Sequence, residues 1–340
     1  MQYTFTTNEA FVFENGQSLP SITIAYSTLG TLNAAKDNVV WVCHALTANA
    51  SADDWWSGIV GTDSPINPEQ HYIVCANIIG SCYGSTGPLS NDPASGKPYY
   101  QAFPDVTIRD MVQAHQLLRE HLGIERIHIL AGGSMGGYQV LEWAIMEPHR
   151  IGNLFLLATS AAESAWGIAI HTTQRLAIEA DQTFGEARPD AGAKGLKAAR
   201  AVGLLTYRNY ALMVQQQSDD DADKRSDFKA SSYINYQGDK LVARFNAYSY
   251  HTLTQAMDSH NIARGRATTA AAMLAGMQQP TLLIAISSDI LCPPQEQWFM
   301  AEHLPHCQCV EIDSQYGHDG FLVESGKIGA VLREWMMSLA

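Results

Sequence analysis

Six short and almost continuously apolar runs recur along this chain of 340 residues: NVVWVCHAL, HYIVCANII, IHILAG, NLFLLAT, TLLIAIS and CQCVEID. Strands that are apolar along their whole length are typical of parallel sheets, which are covered by helices on both faces. Helical stretches such as IRDMVQAHQLLREHLG and QVLEWAIMEPHR lie between most of these runs. The alternation predicts an α/β fold in which a mostly parallel sheet has flanking helices and right-handed crossovers.

Two interruptions of the alternation define the expected domain organisation. Residues 3–28 hold two or three alternating segments with turn residues between them, which predicts an antiparallel edge. Residues 165–275 are mostly helical in composition and include the polar stretch QQQSDDDADKRSD, which is expected to form a solvated loop. We therefore predict a core built from residues 1–164 and 276–340, with residues 165–275 inserted as a helical cap.

Composition and charge exclude several classes of partner. Hydrophobic residues make up 46% of the chain, which is enough for a large core, and the net charge is −13. Such an acidic chain is not expected to bind nucleic acid or an anionic membrane as its main partner. The N-terminal stretch MQYTFTTNEAFVFENG lacks the pattern of a signal peptide, and no apolar run is long enough to span a bilayer. A cytoplasmic protein is expected.

The six cysteines are scattered, and several lie in apolar runs, which favours free thiols in a reducing compartment. They are Cys43, Cys75, Cys82, Cys292, Cys307 and Cys309. Cys307 and Cys309 are expected to point to opposite faces of one strand, a poor geometry for a shared metal ion. No metal site is predicted.

The stretch IHILAGGSMGGYQVLEWA, residues 127–144, carries the most informative motif. The motif does not match a dinucleotide-binding fingerprint, because Ser134 stands where the second glycine is needed. It does not match a phosphate-binding loop either, because there is no lysine. The pattern G-x-S-x-G fits, as Gly132 to Gly136. It follows an apolar strand and opens a helix, as a nucleophile elbow requires. Ser134 is therefore the predicted nucleophile.

A serine nucleophile needs a base and an orienting acid, which in this fold class follow it in the order acid, histidine. His318 lies in the loop SQYGHDGFL after the last predicted strand, whereas His303 and His306 precede that strand at its opposite end. Asp289 ends the run TLLIAISSD; Asp313, after CVEID, is the alternative acid but lies close along the chain to His318. Ser134, Asp289 and His318 are the predicted triad.

An oxyanion hole needs two backbone N–H groups. One is expected from Met135, directly after the nucleophile. The other is expected from Leu46, in the loop that follows the run NVVWVCHAL.

With these motifs assigned, the chain closely resembles the homoserine O-acetyltransferase family of the α/β-hydrolase superfamily. The matching segments are CHALT, CANIIGSCYGSTGP, FPDVTIRDMV, GGSMGGYQVLEWA, TYR, YQGDKLVARF, SDILCPP and GHDGFL. The resemblance implies transfer of an acyl group from an acyl-CoA, a cosubstrate, to the hydroxyl of an amino acid in methionine biosynthesis, and we expect acetyl-CoA as the donor and L-homoserine as the acceptor. It implies a ping-pong mechanism through an acyl-serine, no metal or bound cofactor, and a homodimer assembled through the helical cap.

The resemblance also implies a site for the amino-acid substrate. Arg208 of the TYR segment would grip the α-carboxylate, Asp319 would accept the ammonium, and Tyr207 would line the site. Two departures from the family are visible. Asn209 stands where the family often has serine, and RFNAYSY, with Asn246 and Tyr248, replaces RFDANSY. Either change is expected to affect the cap side of the site.

Three alternatives stay open on the sequence alone. Close relatives use succinyl-CoA as the acyl donor or serine as the acceptor. A few residues of the substrate pocket decide which donor and which acceptor are used. A plain esterase or thioesterase would use the same triad, but the expected Arg208 and Asp319 contacts favour transfer to an amino acid. A non-catalytic binding protein on the same fold predicts a broken triad, whereas all three residue types are present here.

Overall fold

The apolar runs of the sequence become the strands of one sheet. In the computed structural model, which describes residues 2–339, the chain forms ten strands: β1 (Gln2–Thr6), β2 (Phe11–Val12), β3 (Ser18–Leu19), β4 (Thr23–Leu29), β5 (Val39–Cys43), β6 (Tyr72–Ala76), β7 (Ile127–Gly133), β8 (Ile151–Leu157), β9 (Thr281–Ile286) and β10 (Cys307–Ile312). Eight of these strands form a sheet in the order β1-β4-β6-β5-β7-β8-β9-β10, and β2 pairs with β3 in a small separate sheet.

The strand directions confirm both predictions made for the sheet. β5 pairs in parallel with β6 and β7, and the parallel pairing continues through β8 and β9 to β10. At the other edge, β1 and β4 are antiparallel, and so are β4 and β6. The fold is therefore a mostly parallel sheet with an antiparallel edge.

Twelve α-helices connect and cover the strands within residues 2–339. They are α1 (Ala52–Trp55), α2 (Ile108–His121), α3 (Met135–Met146), α4 (Ala165–Glu179), α5 (Ala193–Tyr207), α6 (Tyr210–Gln217), α7 (Lys229–Val242), α8 (Ala247–Asp258), α9 (Ala270–Gly276), α10 (Pro294–His303), α11 (Gly320–Val323) and α12 (Ser325–Ser338). None of these helices combines the length and hydrophobicity that crossing a bilayer requires.

The central strand β5 shows why its sequence is apolar throughout. Val40 and Val42 belong to a buried cluster on one face of the sheet that includes Leu332 of α12. Trp41 points to the other face and packs edge-on against Trp143 of α3, with ring centroids 5.0 Å apart. Alternate side chains of one strand face opposite sides, so a strand covered by helices on both sides needs apolar residues at every position.

Helix α3 ends earlier than the pattern QVLEWAIMEPHR suggests. The helix runs from Met135 to Met146, and Glu147 leaves the helical conformation with φ −132° and ψ 60°. The residue before a proline is disfavoured in the helical region, because the proline ring crowds its backbone. Pro148 thus accounts for the end of the helix, and the predicted extension to residue 150 was wrong.

The segment between β8 and β9 contains the helices α4 to α9. It is attached to the core by buried apolar residues, including Leu196 of α5, Leu241 of α7 and Leu253 of α8, which belong to the same cluster as α2 and α3. The acidic stretch predicted as a solvated loop lies mostly between α6 and α7, and most of its side chains are exposed.

All six cysteines are free; Cys43, Cys75 and Cys292 are buried. The expectation that Cys307 and Cys309 point to opposite faces was wrong. Both pack against the same buried cluster, because residues two apart on a strand share a face.

Candidate active site

Ser134 stands in the turn between strand β7 and helix α3. Its backbone has φ 54° and ψ −128°, a conformation that residues with a side chain rarely adopt. The strained turn follows directly from the joining of a buried strand to a helix with a single residue between them. It presents the hydroxyl of Ser134 at the end of the sheet, as a nucleophile elbow does.

Two glycines of the motif are required by close packing around this turn. A β-carbon on Gly132 would lie 2.5 Å from the backbone of Gly136. A β-carbon on Gly136 would lie 2.2 Å from the carbonyl oxygen of Cys43, at the end of β5. Helix α3 therefore approaches the sheet so closely that no larger residue fits at either position.

The structure brings Ser134, His318 and Asp289 together. Nε2 of His318 lies 2.9 Å from Oγ of Ser134, and Nδ1 of His318 lies 2.6 Å from Oδ2 of Asp289. All three side chains are buried. The serine hydroxyl donates to the imidazole, and the imidazole donates to the carboxylate, which is the hydrogen-bonded order of a catalytic triad.

The loop after β9 fixes the orientation of Asp289. Its second carboxylate oxygen, Oδ1, accepts the backbone N–H groups of Leu291 at 2.8 Å and Cys292 at 3.0 Å. The alternative acid, Asp313, is exposed and accepts a hydrogen bond from Ser287 at 3.3 Å. Asp289 is thus the carboxylate in contact with His318.

The environment of His318 acts on its pKa in two opposing ways. Burial lowers the pKa, because a charged ring loses hydration. The carboxylate of Asp289 raises it by attraction and by hydrogen bonding, and the net effect is a pKa above the usual 6.5. The ring is therefore a stronger base than a free imidazole, yet it is positioned to release the proton again.

The backbone around the serine offers donors for an oxyanion. Met135 is the first residue of α3, so its N–H has no acceptor within the helix. Leu46 lies in the loop after β5 and lines the same cavity as Ser134. The buried His44 shapes this loop: its Nδ1 donates to the carbonyl of Ala45 at 2.9 Å, and its Nε2 accepts the N–H of Ile78 at 3.2 Å. Burial lowers the pKa of His44 to about 4, which keeps the ring neutral.

Of the residues expected to bind the amino acid, Tyr207 and Asp319 line the same cavity as Ser134, whereas Arg208 is not among the lining residues. Arg208 and Asp319 form an ion pair with Nη1 and Oδ2 2.9 Å apart. Burial raises the pKa of Asp319 above its usual 3.8, although Arg208 and His318 act in the opposite direction. The ring of Tyr207 lies with its centroid 6.0 Å from that of His318.

A cavity of about 500 Å³ opens above the triad, between the core and the inserted helices. Its core side includes Ser134, Leu46, His318, Asp319 and Phe321. Its cap side includes residues from the inserted segment: Ile170, His171, Gln174, Arg200, Tyr207, Lys240, Arg244 and Met257. A small substrate that reaches Ser134 is therefore enclosed by both parts of the chain.

Sequence reasoning did not single out several of these cavity residues. His171 is one of them, and its Nδ1 lies 2.9 Å from a carboxylate oxygen of Asp258. Arg200 was not singled out, because charged residues on helices are usually on solvated faces. Lys240 and Arg244 lie in the matching segment YQGDKLVARF, but no role was assigned to them.

The departures from the family pattern have local structural roles. Asn209 and Asn246 each begin a helix, accepting the N–H of Ala211 and of Ser249 at 2.8 Å. The hydroxyl of Tyr248 donates to the carbonyl of Glu186 at 2.6 Å. None of the three departing residues is among those that line the cavity around Ser134.

Comparison with known proteins identifies the family of the chain. The model of the family described as alpha/beta hydrolase fold matches residues 38–325. A homoserine O-acetyltransferase of Cyclobacterium marinum is 47% identical over 336 residues, which cover 99% of this chain and 95% of that relative.

Solved structures show the same fold. A homoserine O-acetyltransferase from Bacillus anthracis superposes with a TM-score of 0.90 at 23% identity, covering 98% of this chain and 97% of that one. Esterase E22 also superposes with a TM-score of 0.90, at 21% identity, covering 98% of this chain and 99% of that one. At such low identity these likenesses speak for the fold alone, because one fold serves many functions.

Proposed function

This chain belongs to the homoserine O-acetyltransferase family of the alpha/beta hydrolase fold, and on that premise we propose that it transfers an acetyl group from acetyl-CoA to the hydroxyl of L-homoserine, a step of methionine biosynthesis. The observation that carries the proposal is the contact of 2.9 Å between Ser134 and His318, with Asp289 behind the histidine. An activated serine allows one difficult transfer to proceed as two easier steps.

In the first step the acetyl group moves to the enzyme. His318 takes the proton of the Ser134 hydroxyl while Oγ attacks the thioester carbonyl of acetyl-CoA. The N–H groups of Met135 and Leu46 stabilise the negative charge that develops on the carbonyl oxygen. The carbon–sulfur bond then breaks, His318 gives its proton to the departing thiolate, and acetyl-Ser134 is left.

In the second step the acetyl group moves to the amino acid. Arg208 binds the carboxylate of homoserine, Asp319 binds its ammonium, and Tyr207 lines the same site. A zwitterion brings one charge for each member of the ion pair that these residues form at 2.9 Å. His318 takes the proton of the substrate hydroxyl, whose oxygen attacks the ester carbon. The bond between Oγ of Ser134 and the carbonyl carbon then breaks, and His318 returns the proton to Oγ. The free enzyme is regenerated.

Transfer must win over hydrolysis of the acetyl-serine. Ser134 is only 7% exposed and His318 only 4%, so water reaches the ester only through the cavity between the core and the inserted helices. An amino acid held by its two charged groups places its hydroxyl at the ester for longer than a diffusing water. These features favour a transferase over an esterase.

We further propose that the reaction uses no resident metal or cofactor, since His318 and the two N–H groups provide the proton transfers and the charge stabilisation. Dialysis against a strong chelator is expected to leave kcat unchanged. Because acetyl-CoA is a cytoplasmic metabolite, we also propose a cytoplasmic location, which cell fractionation would test.

A homodimer assembled through the cap is the proposed quaternary state. Large apolar side chains are exposed on several inserted helices: Trp166, Leu176, Leu205, Tyr210, Val214 and Tyr236. Exposed apolar surface of this kind is typical of a protein–protein interface. Sedimentation equilibrium is expected to give twice the mass of the chain, and a purely monomeric species would overturn this part of the proposal.

The decisive experiment measures CoA release for acetyl-CoA and succinyl-CoA, each with homoserine and with serine. Acetyl-CoA with homoserine is expected to give the highest kcat/KM. A preference for another pair would redirect the proposal to that donor or acceptor. Equal CoA release with and without any acceptor would identify a thioesterase.

A further inference from the structure

Gln139 is a fully buried polar residue that the two-step transfer does not use. It lies on α3, the helix that follows Ser134, and it does not line the cavity. Its amide nitrogen Nε2 donates to the carbonyl of His44 at 3.1 Å and to the carbonyl of Met135 at 3.2 Å. One amide group therefore joins two segments of the chain, the loop after β5 and the first turn of α3.

These two segments carry the two N–H donors proposed for the oxyanion. Met135 provides one donor through its N–H and accepts Gln139 with its carbonyl, and Leu46, two positions after His44, provides the other donor. An oxyanion hole works only when its donors lie about 2.7–3.1 Å from the place where the oxygen becomes charged. The distance between the two segments thus decides whether both N–H groups reach one oxygen.

The loop after β5 has little else to fix this distance. Residues 44–50 form neither helix nor strand. Side chains hold the loop toward β6 and the segment after it: Nε2 of His44 accepts the N–H of Ile78, and Asn77 accepts the N–H of Ala50. Of the hydrogen bonds among residues 2–339, the bond from Gln139 is the one that links this loop directly to α3.

The orientation of the Gln139 amide is fixed by its partners. Two carbonyl oxygens can only accept, so the NH2 end of the amide must face them. The other end, Oε1, lies 3.1 Å from Nε2 of His115, which therefore donates to it. Burial lowers the pKa of His115 to about 4, so its ring is neutral and carries its proton on Nε2.

Packing holds His115 in turn. Its ring stacks on that of Trp143, with centroids 5.7 Å apart, and meets the ring of Trp41 edge-on at 5.9 Å. A buried polar group whose partners are themselves fixed has few alternative positions. Gln139 is therefore a rigid connection between the loop and the helix.

We propose that Gln139 is a positioning residue for the oxyanion hole, which holds the loop of Leu46 at a set distance from Met135. The inference rests on the proposed function and deepens it. Because the oxyanion forms on the acetyl carbonyl in both half-reactions, Gln139 serves both of them equally, although it touches neither substrate.

The test compares the two half-reactions in wild type and Gln139→Met. Methionine is similar in size to glutamine but has no N–H to donate. In a ping-pong scheme, kcat/KM for acetyl-CoA reports the first half-reaction and kcat/KM for homoserine reports the second. Both values are expected to fall by the same factor, about 10- to 100-fold, which is less than the loss of a whole donor.

A tetrahedral inhibitor gives a readout that a purely structural role would not change. Methylboronic acid adds to Ser134: Oγ bonds to boron, His318 takes the proton, and a boronate oxygen occupies the oxyanion position. Its inhibition constant against acetyl-CoA should rise in Gln139→Met by a factor similar to the fall in kcat/KM, because the adduct resembles the transition state.

Gln279→Met is the matched control. Gln279 is also buried, and its Nε2 donates to two carbonyls at the far end of α3, those of Ala144 at 3.4 Å and Pro148 at 3.2 Å. This variant should lose stability in urea but keep the kcat/KM values and the inhibition constant of wild type. If Gln139→Met behaves in the same way, the proposal is wrong. A fall in only one of the two kcat/KM values would assign Gln139 to one substrate and also overturns it.

His115→Phe tests the same connection with Gln139 in place, should Gln139→Met fail to fold. Phenylalanine keeps a ring between the two tryptophans but removes the donor to Oε1, so both kcat/KM values should fall about 2- to 10-fold. Unchanged values would overturn the proposal. Failure of the proposed function is distinguishable, because wild type would then transfer no acetyl to homoserine, whereas His115→Phe and Gln139→Met should still slow the release of 4-nitrophenolate from 4-nitrophenyl acetate.

Discussion

His318 and Asp289 are 29 residues apart in the chain, yet Nδ1 of the imidazole lies 2.6 Å from a carboxylate oxygen. The two residues follow neighbouring parallel strands, β9 and β10, whose carboxyl ends meet at the same edge of the sheet. The carboxylate can accept the imidazole N–H only in the tautomer that leaves Nε2 free for Ser134. This contact therefore prepares the histidine to act as a base.

Asp289→Asn should lower kcat by about 10³- to 10⁴-fold while the protein stays folded, because the amide favours the wrong tautomer of His318. Steady-state CoA release and circular dichroism measure the two effects. The exposed Asp313 provides the control: Asp313→Asn should keep near-normal activity. The reverse result would transfer the acid role to Asp313.

The rate of enzyme acetylation should depend on the protonation of His318. The ring must be unprotonated to accept the serine proton, and its pKa is raised above 6.5 by Asp289. The kcat/KM for acetyl-CoA should therefore fall as the pH decreases through a value above 6.5. In Asp289→Asn the negative charge that raises the pKa of His318 is lost, whereas burial still lowers that pKa. The acid limb of the pH profile of the residual activity should therefore move to lower pH. An unchanged limb would mean that another group titrates.

Ser134→Ala should abolish transfer, since no other hydroxyl occupies the strained turn after β7. Wild type mixed with acetyl-CoA alone and quenched rapidly should gain one acetyl mass on the peptide that contains Ser134. Intact-mass and peptide spectrometry provide the measurement. Absence of the adduct together with intersecting initial-rate lines would rule out the two-step scheme.

Arg208→Lys should damage the second half-reaction and spare the first. An ammonium cannot reproduce the two parallel hydrogen bonds of a guanidinium to a carboxylate. The side chain is 26% exposed, so we expect a moderate loss, about 10- to 100-fold in kcat/KM for homoserine. Pre-steady-state CoA release should retain its burst. A lost burst with a normal KM for homoserine would place Arg208 on the CoA side.

The close approach of α3 to the sheet predicts a large difference between two glycine substitutions. Gly136→Ala should lower the free energy of unfolding by about 1–3 kcal/mol, because its β-carbon would meet the carbonyl of Cys43 at 2.2 Å. At Gly326, in α12, an added β-carbon would meet no atom within 4 Å. Gly326→Ala should therefore raise the free energy of unfolding by about 0.4–1 kcal/mol. Urea denaturation measures both. Equal stabilities would contradict the packing described for α3.

The parts of the fold that depend on local pattern could be predicted from the sequence. Apolar runs predicted the parallel strands, and the glycines around Ser134 predicted the turn. Asp289 and His318 could be chosen because chain order and the carboxyl ends of strands limit the candidates. Their roles in catalysis are still predictions that the variants above address.

Features that depend on distant parts of the chain could not be predicted. Arg200 looks like an ordinary helical arginine, and only the packing of α5 over the core reveals that it lines the same cavity as Ser134. The pairing of Arg208 with Asp319 likewise joins residues from the inserted helices and from the loop after β10. Local patterns carry no information about such contacts, because the chain that separates their members is long.

The order of the active-site residues along the chain determines when the site can form during synthesis of the protein. Ser134 precedes the histidine that activates it by 184 residues. Ribosomes build chains from the N-terminus and domains fold as units during synthesis, so the emerging polypeptide carries its serine long before β9, β10 and His318 exist. A partly synthesised chain that lacks this segment has no base beside Ser134. The complete triad can therefore form only after β9, β10 and the loop that carries His318 have been translated.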